Sequence, residues 1–144
     1  MGFDLFGNLA LGAATAFSLA NVLYCLLGVT LGTLIGVLPG IGPSATIAML
    51  LPITFGMDST SSVIMLAGIF YGAQYGGSTT AILVNLPGEA SSAVTVIDGH
   101  QMARKGQAGT ALAIAAIGSF VAGTIATLLV ALFAPPLEIG RAHV

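Results

Sequence analysis

Two short stretches carry hydroxyls and glycines at matched spacing: Gly42-Pro43-Ser44-Ala45-Thr46 and Gly76-Gly77-Ser78-Thr79-Thr80, both of the form G-x-S-x-T. Each opens an apolar run, closed by Leu51-Pro52 in one case and Leu86-Pro87 in the other. Hydroxyl donors, glycines that admit a ligand to the main chain and the free N–H groups of a helix start together suit a small anion, above all a carboxylate. The candidate binding residues are Gly40, Gly42, Pro43, Ser44, Gly76, Gly77, Ser78, Thr79, Thr80 and Asn85. The plainer alternative is a pair of kinks filled by neighbouring helices, with the hydroxyls bonding their own backbone. Nucleophilic catalysis is not expected, because no His, Asp or Glu lies within these runs to serve as a base. The same absence removes a proton relay or fixed counter-charge, so a coupling cation is expected to be held by carbonyls and hydroxyls, which suits Na+ better than H+. Asp58 reads as a helix cap, and Glu89 and Asp98 as parts of a solvated loop.

The surroundings of these residues are apolar. Charged residues make up 6% of the chain, against roughly 25% in soluble domains, and the mean hydropathy is +1.04. Three Lys and Arg provide no basic surface for nucleic acid. Cys25 lies alone in an apolar run, which excludes a disulfide framework and argues for a packing role. Asp98 and His100 lack a third ligand at useful spacing, so no resident metal or cofactor is expected. Met1-Gly2-Phe3-Asp4 lacks the basic start of a cleaved signal, and Phe6 occupies the position where a myristoylation signal needs Ser or Thr.

An all-α membrane protein follows, a polytopic bundle containing re-entrant or broken half-helices. Residues 1–20 read as an interfacial segment and 21–137 as a partial transmembrane domain. Within it, 21–38 and 107–134 are uncharged runs near or beyond the ~20 residues needed to cross a bilayer. The second is expected to stop at Pro135-Pro136. Residues 59–75 form a shorter third candidate, capped by Asp58 or Ser59, with Tyr71 and Tyr75 near its far end. The two G-x-S-x-T stretches are expected to begin separate half-helices, each too short to span and each preceded by broken backbone. Small residues recur every fourth position at Gly28, Gly32, Gly36 and Gly40, at Gly68, Gly72 and Gly76, and along Ala111, Ala115, Ser119, Gly123, Thr127 and Ala131. Such ridges let helix backbones approach closely in lipid. Arg104 and Lys105 place residues 89–106 in the cytoplasm by the positive-inside rule.

Three blocks carry a resemblance to a known family: Gly32-Thr33-Leu34-Ile35-Gly36-Val37-Leu38-Pro39-Gly40-Ile41-Gly42-Pro43, Gly72-Ala73-Gln74-Tyr75-Gly76-Gly77-Ser78-Thr79-Thr80-Ala81-Ile82-Leu83, and Asn85-Leu86-Pro87-Gly88-Glu89-Ala90. Together with the sequence from 21 to about 137 they resemble the start of the large membrane subunit of tripartite tricarboxylate transporters, the TctA family. The resemblance implies a multi-pass carrier in the bacterial inner membrane. It implies as partners a small membrane subunit and a periplasmic solute-binding protein delivering citrate or related carboxylates, with ion-coupled symport in place of ATP hydrolysis. The chain indeed has no G-x-x-x-x-G-K-[ST] phosphate loop. Members of the family are several times longer, so this length is expected not to transport alone. The rival reading is a non-transporting membrane scaffold or assembly subunit. The last seven residues, from Glu138 to Val144, match one frame of a common sequencing adapter and are expected to be non-native.

Overall fold

The computed structural model describes residues 5–141, with side chains placed from Phe6 to Phe133. Every regular element among the described residues is helical. After α1 (Leu5–Ala16) come α2 (Leu19–Gly36), a short α3 (Pro43–Leu50) continued by a 3-10 turn (Leu51–Thr54), and α4 (Ser59–Val84). Beyond α4 lie α5 (Ala93–Thr95), a π turn (Val96–His100), α6 (Gln101–Arg104) and the long α7 (Ala108–Arg141).

The glycine ridges of α2 and α4 form the central seam. Gly28, Gly32 and Gly36 lie against the backbone of Met65, Ile69 and Ala73, while Gly68, Gly72 and Gly76 lie against Cys25, Val29 and Thr33. A Cβ on Gly68 would stand 2.7 Å from the Cys25 carbonyl, and one on Gly76 2.7 Å from that of Thr33. Lipid supplies no hydrophobic drive between helices, so this backbone proximity is what holds the pair, through dispersion and weak Cα–H···O contacts. At one end Ser61 Oγ donates to Asn21 Oδ1 at 2.7 Å, and Asn21 Nδ2 in turn donates to Thr15 O at 2.9 Å. At the other, Thr80 Oγ1 donates to Val37 O at 2.8 Å, satisfying a carbonyl freed where α2 stops.

Contacts that advance together along both chains mean that α2 and α4 run parallel. Parallel neighbours cannot be joined by a tight turn; residues 37–58 must travel back the whole length of α2, roughly 27 Å at 1.5 Å per residue. α3 and its 3-10 turn do this, beginning near Gly77 and ending where Ser62 Oγ donates to Thr54 O at 3.4 Å. The first predicted half-helix is therefore present, and it forms part of a broken return segment.

The second is not. α4 runs unbroken through Gly76-Gly77 to Val84, so the segment expected to end near Tyr75 and the one expected to start at Gly76 are a single 26-residue helix. Tyr71 and Tyr75 consequently lie mid-helix. Glycine in a helix costs about 1 kcal/mol against alanine, but here the missing side chains admit α2 on one side and Gly88 on the other. Asp58 caps this helix as expected, accepting from Ser61 N at 3.0 Å. α7 also departs from expectation by continuing past Pro135-Pro136 to Arg141. Proline's fixed φ is itself helical, and the backbone continues through the pair. Of the seven-residue tail, 142–144 lie outside the described residues.

Two helices, Leu19–Gly36 and Ala108–Phe133, are long and apolar enough to cross a membrane. Leu23, Leu26 and Leu34 of α2 and Ile114, Ile117 and Val121 of α7 point outward. In lipid such exposure carries no penalty. α7 leaves from beside the far end of α4 and runs back along it, enclosing a groove of about 780 Å³ with Tyr71 and Tyr75 on one wall and Ser119 and Phe120 on the other.

Candidate functional site

The chain reverses at Asn85, whose left-handed backbone (φ 63) ends α4. From there it folds back along the helix it has just left. Gly88 rests on the backbone of Gly77, where any Cβ on Gly88 would overlap it. Further along, Gln74 Nε2 donates to Ser91 Oγ at 3.3 Å. The segment then climbs again through α5 and the π turn until His100 Nδ1 meets Ile82 O at 3.0 Å, capping one of the last carbonyls of α4. Residues 89–106 thus fold as a hairpin against α4 rather than as a plain loop: Glu89 is half-buried, contrary to expectation, while Asp98 is exposed, as expected.

Glu89 is fixed by the turn it opens. Its N–H donates to Ser92 Oγ at 3.2 Å, and Ser92 Oγ donates to Glu89 O at 2.9 Å, with Ser92 only 2% exposed. The Ser91 hydroxyl donates to Glu89 Oε1. On its open side Glu89 faces the start of α3: a Cβ on Gly42 would lie 3.7 Å from Glu89 Cβ, and one on Gly77 3.7 Å from Glu89 Cγ. Gly42 is the N-cap of α3, Pro43 occupies the first helical position without a donor to lose, and no side chain caps the helix. Gln74 Oε1 is buried and accepts no hydrogen bond. Three separate parts of the chain therefore converge: the start of α3, the Gln74 to Gly77 turn of α4, and the Gly88 to Ser91 turn.

The predicted site residues divide accordingly. Gly42, Pro43 and Gly77 lie at the convergence, and Ser44 comes next, on the exposed side of α3. Gly40 is the turn glycine before it, at φ 83, with open space where a Cβ would stand. Gly76 serves the α2 seam. Ser78 and Thr79 donate back to Gln74 O and Tyr75 O at 3.2 and 2.9 Å, and Thr80 shares its hydrogen between Gly76 O and Val37 O. For these three hydroxyls the backbone-bonding alternative describes the geometry. Asn85 is an exposed helix terminator, apart from the convergence. Sequence reasoning missed Gln74, Gly88, Glu89 and Ser91. One signal was available: Gln74 is the only long polar side chain in α4. The fold-back that brings Glu89 to it leaves no local trace beyond Asn85 and Pro87-Gly88.

Residues 22–142 match the model of the tripartite tricarboxylate transporter TctA family. An uncharacterized 52.8 kDa protein from the TAR-I ttuC' 3' region of Agrobacterium vitis is 70% identical over 134 residues, 93% of this chain and 27% of that protein. An uncharacterized protein of Methanocaldococcus jannaschii is 28% identical over 116 residues, 78% of this chain and 28% of its own length. The chain thus spans about a quarter of the length of these relatives. No solved structure matches it.

Proposed function

Since this chain belongs to the tripartite tricarboxylate transporter TctA family, we propose that it forms part of the membrane subunit of a secondary, ion-coupled uptake system for citrate or related small carboxylates. The observation that carries this reading is the uncapped start of α3, set within the bundle between Gly77 and the Gly88 to Ser91 turn. Irregular backbone inside a membrane protein is tolerated where it lines a solute path, and a helix start there favours an anionic group. The broken return segment between two parallel helices is the kind of element that can move without unpicking the α2–α4 seam.

A periplasmic solute-binding protein delivers the carboxylate and a small membrane subunit completes the assembly, which lies in the bacterial inner membrane as a multi-pass bundle. Arg104 and Lys105 then face the cytoplasm. Uptake by the full-length carrier and its partner subunits, measured with radiolabelled di- and tricarboxylates alongside neutral sugars and amines, tests the reading. Accumulation restricted to carboxylates and dependent on an ion gradient is expected. Uptake of the neutral or cationic solutes alone would remove the anion argument.

A further inference from the structure

We infer that the groove between α4 and α7 is the seat of one further helix of the full-length carrier, the spanning helix that follows α7 in the chain. The inference starts from how little of α7 is packed. Ala111 is buried near its start, but from Ser119 to Phe133 no residue is. In lipid a helix gains from a neighbour mainly where the two backbones can approach closely. Ser119, Gly123 and Thr127 supply that smooth surface, one turn apart on the face of α7 that lines the groove. They repeat the spacing by which α2 and α4 meet, yet a Cβ added to Gly123 would find nothing within 4 Å.

The size of the groove suits one side of a helix. Its lining on α7 runs from Ala116 to Leu128, about 18 Å at 1.5 Å per residue. A volume of about 780 Å³ over that length gives a section of about 40 Å², roughly half that of an α-helix whose diameter with side chains is about 10–12 Å. The occupant therefore sets one face between α4 and α7 and keeps the other for lipid or further helices.

Polar groups distinguish a helix from a lipid chain. Thr124 and Thr127 donate to Phe120 O and Gly123 O of their own helix, each at 2.8 Å. The hydroxyls of Tyr71, Tyr75 and Ser119, which also line the groove, make no hydrogen bond among the described residues. Tyrosine favours the bilayer edge, where its hydroxyl meets water, but these two stand midway along the 26-residue α4. A hydroxyl without a partner in hydrocarbon is costly. An acyl chain offers it nothing, whereas a helix brings carbonyls and polar side chains.

The relatives are about four times as long as this chain, which covers 27% and 28% of them. Consecutive elements usually lie side by side, and α7 runs on past the Leu128 end of the groove. A helix turning back from there enters the groove at once, antiparallel to α7. This step rests on the multi-pass reading above and not on the solute carried.

Disulfide trapping in the full-length carrier, in its membrane and with Cys25 and any other native cysteine replaced by serine, tests the seat. One cysteine is placed at Ser119 or, in a second series, at Thr127. The other is moved residue by residue through the spanning helix that follows α7, and carriers that elute as the parent on gel filtration are oxidised with copper phenanthroline. Disulfides are expected in both series, recurring every third or fourth position on one face of that helix. The positions that pair with Thr127 are expected nearer its start than those that pair with Ser119, as an antiparallel neighbour requires. Cysteines at Ile117 or Val121, on the lipid side of α7, are expected to form none. Absence of disulfides from both Ser119 and Thr127 overturns the inference, and so do disulfides formed equally from Ile117. A disulfide that joins two copies or reaches the small membrane subunit also overturns it, because the occupant is then another chain. Trapping in a carrier that takes up no carboxylate would support the seat and sink only the solute reading; carboxylate uptake without trapping would do the reverse.

Discussion

At the scale of single residues, Gly77 and Gly88 face each other but are not equivalent. A Cβ on Gly77 would stand 3.5 Å from Gly88 Cα, an ordinary contact, whereas a Cβ on Gly88 would overlap the Gly77 backbone. Gly77→Ala is therefore expected to be neutral or mildly stabilising, since alanine is the better helix former by about 1 kcal/mol. Gly88→Ala is expected to cost about 1–3 kcal/mol through overpacking against atoms that cannot yield. Thermal unfolding of the two variants in detergent checks the contrast, and equal stabilities would mean that the hairpin does not lie on α4. Gly77→Leu, whose side chain fills the hairpin's place, is expected to abolish uptake in the full-length carrier while leaving membrane insertion intact. Unchanged uptake would remove Gly77 from the solute path.

Among the elements, α4 depends on its first turn. Asp58 accepts the Ser61 N–H at 3.0 Å, and that backbone hydrogen bond holds its carboxyl below the ordinary value of 3.8. A lowered folded-state pKa means that the cap's stabilisation is fully present above that ordinary value and is lost as the pH falls through the lower, folded one. The helix start is therefore expected to loosen only in strong acid. Asp58→Asn, which keeps an acceptor but cannot titrate, should flatten this acid limb while leaving neutral stability near wild type; hydrogen exchange at residues 59–62 across the acid range is the measurement. An unaltered acid limb in D58N would mean that another group controls it. The α2–α4 seam has no such pH dependence, because it is made of backbone and small residues.

For the whole molecule, the proposed multi-pass reading combined with parallel α2 and α4 and a broken return between them predicts the order of crossings. The turn around Gly56 and the α6–α7 corner at Lys105 must then lie on opposite faces of the membrane. Cysteines placed at each position, in a chain carrying Cys25→Ser, are expected to react with an impermeant maleimide from opposite sides of sealed vesicles. Labelling of both from one side would refute the return path. With Lys105 facing the cytoplasm as proposed, Gly56 is reached from outside.

Much of this architecture was legible from local pattern. Long uncharged runs define α2 and α7 because twenty apolar residues have few other stable fates. The four-residue glycine spacing announced close helix packing, and Asp58 announced a cap, since each is a property of one turn of chain. Matched G-x-S-x-T stretches did not mean matched breaks. The first comes after Pro39-Gly40 and stands outside α2, while the second is held helical by backbone contacts with α2 and Gly88, which lie distant in sequence. Glu89 read as solvated for the same reason: a carboxylate beside Pro-Gly normally is. Its place against Gly42 results from the reversal at Asn85 and from Gly77 leaving room for Gly88. Those are contacts between segments, and only the tertiary structure could decide them.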